Sequence, residues 1–234
     1  LETDQIKVAQ LYIQNDFKKD GEGILKRASE LEENLLSQEA LASFYLAELR
    51  KEEAIEIMKG IAERGSVDVL IRTTKKLASA NEEQLGYDLL LARKSEFSGN
   101  SSYLSAVCQL GISSHNEEEV IPVALDLLHL SEKHLEIKAA VATASRVLSR
   151  AGKEKEFIEL LKDKESIQDQ CLLVQLHLMA KDLGAAEQVL ASRVNAKDTI
   201  ATYFWTEILK QQKQYEKASQ LLEGLLSTDE GKKP

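Results

Sequence analysis

The chain has 234 residues, enough for one large domain or two small ones, and its 43% hydrophobic and 29% charged content is that of a globular protein. A net charge of −9, from 30 basic and 39 acidic residues, argues against nucleic acid and anionic membrane as partners, since both need a basic face. Cys108 and Cys171, 63 residues apart, exclude a disulfide scaffold and a cysteine-rich zinc site, and no apolar run approaches the roughly 18–20 residues of a membrane span.

The chain opens LETDQIKVAQLYI, with no initiator methionine, basic stretch or apolar signal core, and reads as the inside of an amphipathic helix in a cut or processed chain. The absence of secretory features points to the cytoplasm. Gly21-Glu22-Gly23 lacks the third glycine and the preceding strand of a dinucleotide fingerprint, and is expected as an interhelical turn. In Ala54-Ile55-Met58-Ile61-Ala62 the apolar residues recur three and four apart, which places them on one helix face. Val189-Leu190-Val194 and Leu221-Leu222-Leu225-Leu226 behave in the same way. Gly60, Gly65, Asn81, Gly99, Gly152 and Gly184 punctuate the periodic segments, and Pro122, after Glu117-Glu118-Glu119, suits the start of a helix. No useful stretch alternates with period two. Thirteen or fourteen helices of roughly 10–15 residues are expected, and the fold class is all-α.

Residues 202–230 form the clearest repeating unit. Trp205 and Leu209 share a face of a first helix, Lys213-Gln214-Tyr215 makes the turn, and Ala218, Leu222 and Leu225 lie on a second helix. Thr206 and Ala218 occupy positions at which a small side chain lets two helices cross closely. This unit resembles a tetratricopeptide repeat, although Leu225 stands where that family has a third small residue and no proline closes the unit. Weaker copies start at Val174, Ser145, Cys108, Thr74 and Ala42, and a degenerate first copy runs through Val8, Leu11, Phe17 and Ile24. The resemblance implies a right-handed superhelix of about seven antiparallel helical hairpins, a TPR-like α-solenoid, as a single domain over residues 1–230 with a polar tail over 231–234. Each hairpin leaves a second apolar face that only a neighbour covers, so the hairpins must stack.

Residues that carry chemistry are sparse. His129 and His134 are five apart, about 140° round a helix, and are expected to be exposed beside the polar linker Ser131-Glu132-Lys133 and not metal-bound. Cys108 and Cys171 sit among apolar neighbours and are expected in the core, with His115 and His177 too far along the chain to fix a nucleophile–base pair. The triplet Asn100-Ser101-Ser102 is of the glycosylation type and is read as coincidence. Lys18-Lys19, Lys75-Lys76 and Arg93-Lys94 are scattered and lack interleaved aromatics, which disfavours an RNA-reading array. No cofactor, metal or catalytic residue is expected.

In stacked hairpins of this kind the first helices line a concave face. The repeat register places Lys75, Gln109, Arg146, Gln175, Tyr203, Glu207 and Lys210 toward it, beside Ile112 and Leu178, as a mixed polar and apolar groove for a protein or extended peptide. The opening helix Gln5-Ile6-Lys7-Val8-Ala9-Gln10 offers one lysine and no matching asparagine, so the carboxylate clamp of chaperone-docking tetratricopeptide proteins is not expected. Trp205 is expected to pack against its own hairpin. The resemblance implies a non-enzymatic scaffold or adaptor in an intracellular multiprotein assembly such as a transport or coat complex, with a peptide-capturing chaperone or regulatory module as the alternative. Self-association through the terminal repeats is a further expectation.

Overall fold

A computed structural model describes residues 2–30, 34–195 and 198–226. Among them the secondary structure is helical, with no strand. The chain divides into two compact units, Leu1–His115 and Asn116–Pro234. The first holds α1 (Glu2–Gln14), α2 (Lys18–Ser29), α3 (Leu35–Ala47), α4 (Lys51–Arg64), α5 (Val67–Ser79), α6 (Glu83–Ala92), the single turn α7 (Lys94–Phe97) and α8 (Ser101–Ser113). The second holds α9 (Ile121–Leu130), α10 (His134–Arg150), α11 (Glu154–Leu161), α12 (Ile167–Met179), α13 (Leu183–Asn195), α14 (Thr199–Gln211) and α15 (Tyr215–Leu226). Fifteen described helices exceed the thirteen or fourteen expected, and one of the additional elements is the four-residue α7.

Within the first unit α1 packs on α2, α3 on α4 and α5 on α6, and each second helix packs on the first helix that follows it. The second unit repeats the scheme with α12 on α13 and α14 on α15, the first helices α10, α12 and α14 also touching in series. These are the stacked antiparallel hairpins of a TPR-like array. Short connections force antiparallel neighbours, and small side chains decide where they cross.

Ala42, Thr74, Cys108, Ser145, Val174 and Thr206, the expected first-helix crossing positions, are all 4% exposed or less. Twelve residues after Ala42, Thr74, Val174 and Thr206 stand Ala54, Gly86, Ala186 and Ala218, also buried, on the second helix of each hairpin. At Gly86 a Cβ would come within 3.1 Å of the Thr74 carbonyl oxygen, so the two small residues of that hairpin face each other directly. The first unit corrects the sequence reading. Val8, Leu11 and Phe17 are 43%, 58% and 58% exposed, whereas Ala9 is fully buried and is the true crossing residue. Its partner twelve residues on is Gly21, where a Cβ would lie 2.9 Å from the Ala9 carbonyl oxygen. Gly21-Glu22-Gly23 therefore lies inside α2 and makes no turn.

The turns carry the repeat in their backbone. Asp16, Leu49, Asn81, His115, Gly152, Lys181 and Lys213 all have positive φ, between 58° and 68°, and each falls seven residues after a crossing residue. At Leu49 the amide donates to Leu46 O (3.2 Å) and the next amide, Arg50, donates to Tyr45 O (2.8 Å). Asp16, Asn81, Gly152, Lys181 and Lys213 show the same nested pair, which satisfies the orphan carbonyls of a helix C-terminus by one left-handed residue. Pro122 stands in the first turn of α9, as expected, but Glu117–Glu119 precede the helix. Asn100 has a local role: its side chain accepts from the Tyr103 amide (2.9 Å) and caps α8. The Leu225 side chain and the tail 231–234 lie outside the described residues.

Candidate partner-binding cleft

The crossing residues point inward, so the next residue on each first helix, about 100° further round, leaves the core. In the second unit these residues are Arg146 on α10, Gln175 on α12 and Glu207 on α14, and all three line one cleft of about 500 Å³. Residues one or two turns to either side complete it. Lys138, Ala142, Ser149 and Arg150 come from α10, Leu178 and Met179 from α12, and Tyr203, Phe204 and Gln211 from α14. Its apolar part is Leu178, Phe204 and the half-exposed Met179.

Three cations and one carboxylate line this cleft in a chain of net charge −9. Lys138 Nζ donates to Tyr203 Oη and lies 5.0 Å from the centre of that ring. The Tyr203 hydrogen bond holds the Lys138 ammonium above its ordinary value. Glu207 is already neutralised, since Lys210 Nζ donates to both its carboxylate oxygens at 2.9 and 3.0 Å. Arg146 and Arg150, four apart on α10 and both exposed, have no ion-pair partner among the described residues. The result is a cleft with two open guanidiniums beside an apolar floor.

Four of the seven residues expected in the groove, Arg146, Gln175, Tyr203 and Glu207, meet in this cleft, with Leu178 as well. Lys210 does not line it and acts through Glu207. Lys75 belongs to the first unit, where it lines a separate depression of about 440 Å³ with Asp68, Ile71, Arg72, Lys76, Ser79 and Ser102. There Arg72 and Lys76 are held by the buried Glu39. Burial opposes the Glu39 charge, but the two cations overcome it and keep its carboxyl below the usual range. Gln109, on the exposed side of α8, donates to Ser105 Oγ (3.4 Å). Lys138, Arg150, Phe204, Met179 and Gln211 were not expected. The four-residue steps 138, 142, 146 and 150 along α10 are the signal that would have found the first two.

The other candidates resolve into structure. His129 is exposed, as expected, and its Nε2 lies 2.9 Å from Asp169 Oδ1, which ties α9 to α12. Cys108 and Cys171 are fully buried, and burial, reinforced by Asp198, pushes the Cys171 thiol well above its ordinary value. Trp205 is only half-buried; Phe204 takes the core position beside it at 4% exposure. Among the described residues no group of three His, Cys, Asp or Glu side chains is placed to hold a metal ion, and no helix is long and apolar enough to cross a membrane.

No protein-family model and no curated protein matches the chain. Solved structures do. A tetratricopeptide repeat protein from Parabacteroides merdae is 13% identical, over 97% of this chain and 93% of that one, with a TM-score of 0.48. Pseudomonas aeruginosa PilF is 14% identical over 88% of this chain and 97% of its own, with a TM-score of 0.42. A chain of the APC/C hetero-tetramer Cut9–Hcn1 is 12% identical over 89% of this chain and 42% of its own, with a TM-score of 0.39.

Proposed function

We propose that the chain is a non-enzymatic protein-interaction module, a scaffold or adaptor within a multiprotein assembly such as a transport or coat complex, and that the cleft of α10, α12 and α14 holds an extended segment of its partner. The observation that carries this reading is the pair of open arginines, Arg146 and Arg150, beside Leu178, Met179 and Phe204. Such a surface recognises a segment that carries carboxylates next to an apolar side chain. A cleft of about 500 Å³ accepts only a few side chains, which favours a second form of the reading, a regulator or chaperone that captures an isolated peptide. Self-association through the terminal hairpins belongs to the same proposal.

The test is affinity capture from a native lysate with the wild-type chain, the Arg146→Glu/Arg150→Glu double variant and Lys75→Ala. A stoichiometric partner retained by Lys75→Ala, lost by the double variant and weakened by added salt supports the cleft. Retention by the double variant removes the cleft from the proposal, and capture of nothing by the wild type overturns the assembly-subunit reading. A proteolytic fragment of the partner that binds as tightly as the whole selects the peptide form.

A further inference from the structure

Arg146 and Arg150 face the cleft from successive turns of α10, about 6 Å apart along the helix axis, and both are exposed. Like charges at this spacing repel each other. The one carboxylate in the cleft does not relieve them, because Glu207 is engaged by Lys210. An incoming carboxylate satisfies one guanidinium through its two oxygens and leaves the other open. A phosphate monoester carries about −1.5 to −2 charges at neutral pH and three acceptor oxygens, enough for both arginines. Lys138 stands further along the same wall, its ammonium donating to Tyr203 Oη, and its single charge suits one carboxylate. Between Lys138 and Arg146 the wall is uncharged, formed by Val141, Ala142 and Ser145. From Lys138 to the midpoint of the arginine pair α10 rises about 15 Å, the span of four or five extended residues at about 3.3 Å each.

We propose that the group seated between Arg146 and Arg150 is the phosphate of a phosphorylated serine or threonine in the partner segment, with an acidic residue four or five positions away at Lys138. Apolar side chains of the segment rest on Leu178 and Phe204. Phosphorylation of the partner then switches its capture on. The modification is made elsewhere: a protein kinase joins the hydroxyl oxygen to the γ-phosphorus of a nucleoside triphosphate, releasing the diphosphate and a proton, and this chain reads the product. A polypeptide is favoured over a lipid headgroup because a chain of net charge −9 is repelled by an anionic bilayer, whereas a single segment enters the cleft alone. The inference rests on the cleft as the binding site of the proposed function and names the chemistry and control of what it holds.

The test offers the whole chain three peptide libraries that differ only in a fixed central residue, phosphoserine, glutamate or serine, with six degenerate positions on either side. The phosphoserine library should be retained roughly tenfold over the glutamate library, with Asp or Glu enriched four or five positions from the centre. Arg146→Gln and Arg150→Gln should each abolish the preference for phosphoserine. Lys138→Gln should erase only the acidic enrichment, and Lys75→Ala should change nothing. Circular dichroism checks that each variant is helical. Equal retention of the phosphoserine and glutamate libraries overturns the inference and leaves a carboxylate-binding cleft standing. Undiminished phosphoserine retention by both arginine variants overturns it too, as does retention of no library, or binding to phosphoinositide vesicles without binding to peptides. Capture from native lysate separates this inference from the reading beneath it. A partner lost after phosphatase treatment of the lysate supports the phosphate. A partner that needs Arg146 and Arg150 yet survives the treatment overturns the phosphate alone and keeps the cleft.

Discussion

Gly21 and Gly23 lie two residues apart in α2, and alanine should have opposite effects at the two positions. At Gly21 an added Cβ would stand 2.6 Å from Ile13 Cγ1 and 2.9 Å from the Ala9 carbonyl oxygen, where carbon contacts are comfortable only at about 3.5–4.0 Å. Ile13 has other rotamers, but the Ala9 carbonyl belongs to the backbone of α1, so the hairpin must open. Overpacking of this kind costs about 1–3 kcal/mol, against about 1 kcal/mol recovered because alanine is the better helix former. Gly21→Ala is therefore expected to destabilise the α1–α2 hairpin by up to about 2 kcal/mol. At Gly23 the nearest atom to the added Cβ is the guanidinium end of Arg27 at 3.7 Å, and the helix gain of about 0.5–1 kcal/mol stands unopposed. Amide hydrogen exchange reads this hairpin directly, since stacked repeats open locally and from their ends. Gly21→Ala should speed exchange across α1 and α2 by up to roughly 30-fold, and Gly23→Ala should slow it. Equal protection in the two variants would refute the close crossing of Ala9 and Gly21, and with it the register assigned to the first hairpin.

Leu49 pairs a φ of 59° with 90% exposure, so it pays for a left-handed backbone without burying its side chain. Leu49→Gly should stabilise the chain by about 1 kcal/mol, raising the melting temperature by about 2–4 °C, while the reverse change, Gly152→Leu, should lower it; a fall with Leu49→Gly contradicts the turn geometry. Tyr103 is fully buried and its phenol donates to the Leu90 carbonyl, so Tyr103→Phe, which leaves that acceptor unmet, should cost about 1–2 kcal/mol at neutral pH. Burial raises the Tyr103 phenol from 10.0 to about 12, so its contribution is complete below about pH 10 and disappears as the pH rises through 12. Denaturation midpoints between pH 10 and 12 should therefore fall less steeply for Tyr103→Phe than for the wild type, and parallel slopes would exclude Tyr103 as the titrating group.

The periodicity of small side chains was legible because helix crossing tolerates little else at those positions, and it located six of seven crossing residues. The turns were less legible. Of the seven left-handed positions, Asn81, Gly152 and Lys213 were placed in or near turns, while Leu49, His115 and Lys181 are held by residues whose identity announces none, and Gly21 and Gly23, which do announce one, lie inside a helix. The site followed the same division. The step from a crossing residue to its outward neighbour named Arg146, Gln175 and Glu207, since that step is local helix geometry. Which outward residues share a cleft depends on packing between helices about thirty residues apart, so Lys75 and Gln109 were grouped with a surface of the other unit. The His129–Asp169 pair, 40 residues apart, is of the same long-range kind.

The one misplaced register has a physical cause. Apolar periodicity identifies a crossing residue when a first helix is apolar on its inward side and polar elsewhere. In α1 the inward set of Ile6, Ala9 and Ile13 is accompanied by a second apolar set of equal number, Val8, Leu11 and Tyr12, which is about half-exposed and bulkier because Ala9 is small. The sequence reading followed the bulkier set and so slipped by one residue. Left about half-exposed, this stripe adds little burial to the α1–α2 hairpin. In α3, α12 and α14 the residue equivalent to Leu11 is apolar and buried: Phe44, Leu176 and Ile208. Val8, Leu11 and Tyr12 are thus the residues that misled the register, and because Ala9, Ile13 and Gly21 make the crossing, replacing Leu11 with a polar residue should leave amide protection across the α1–α2 hairpin unchanged.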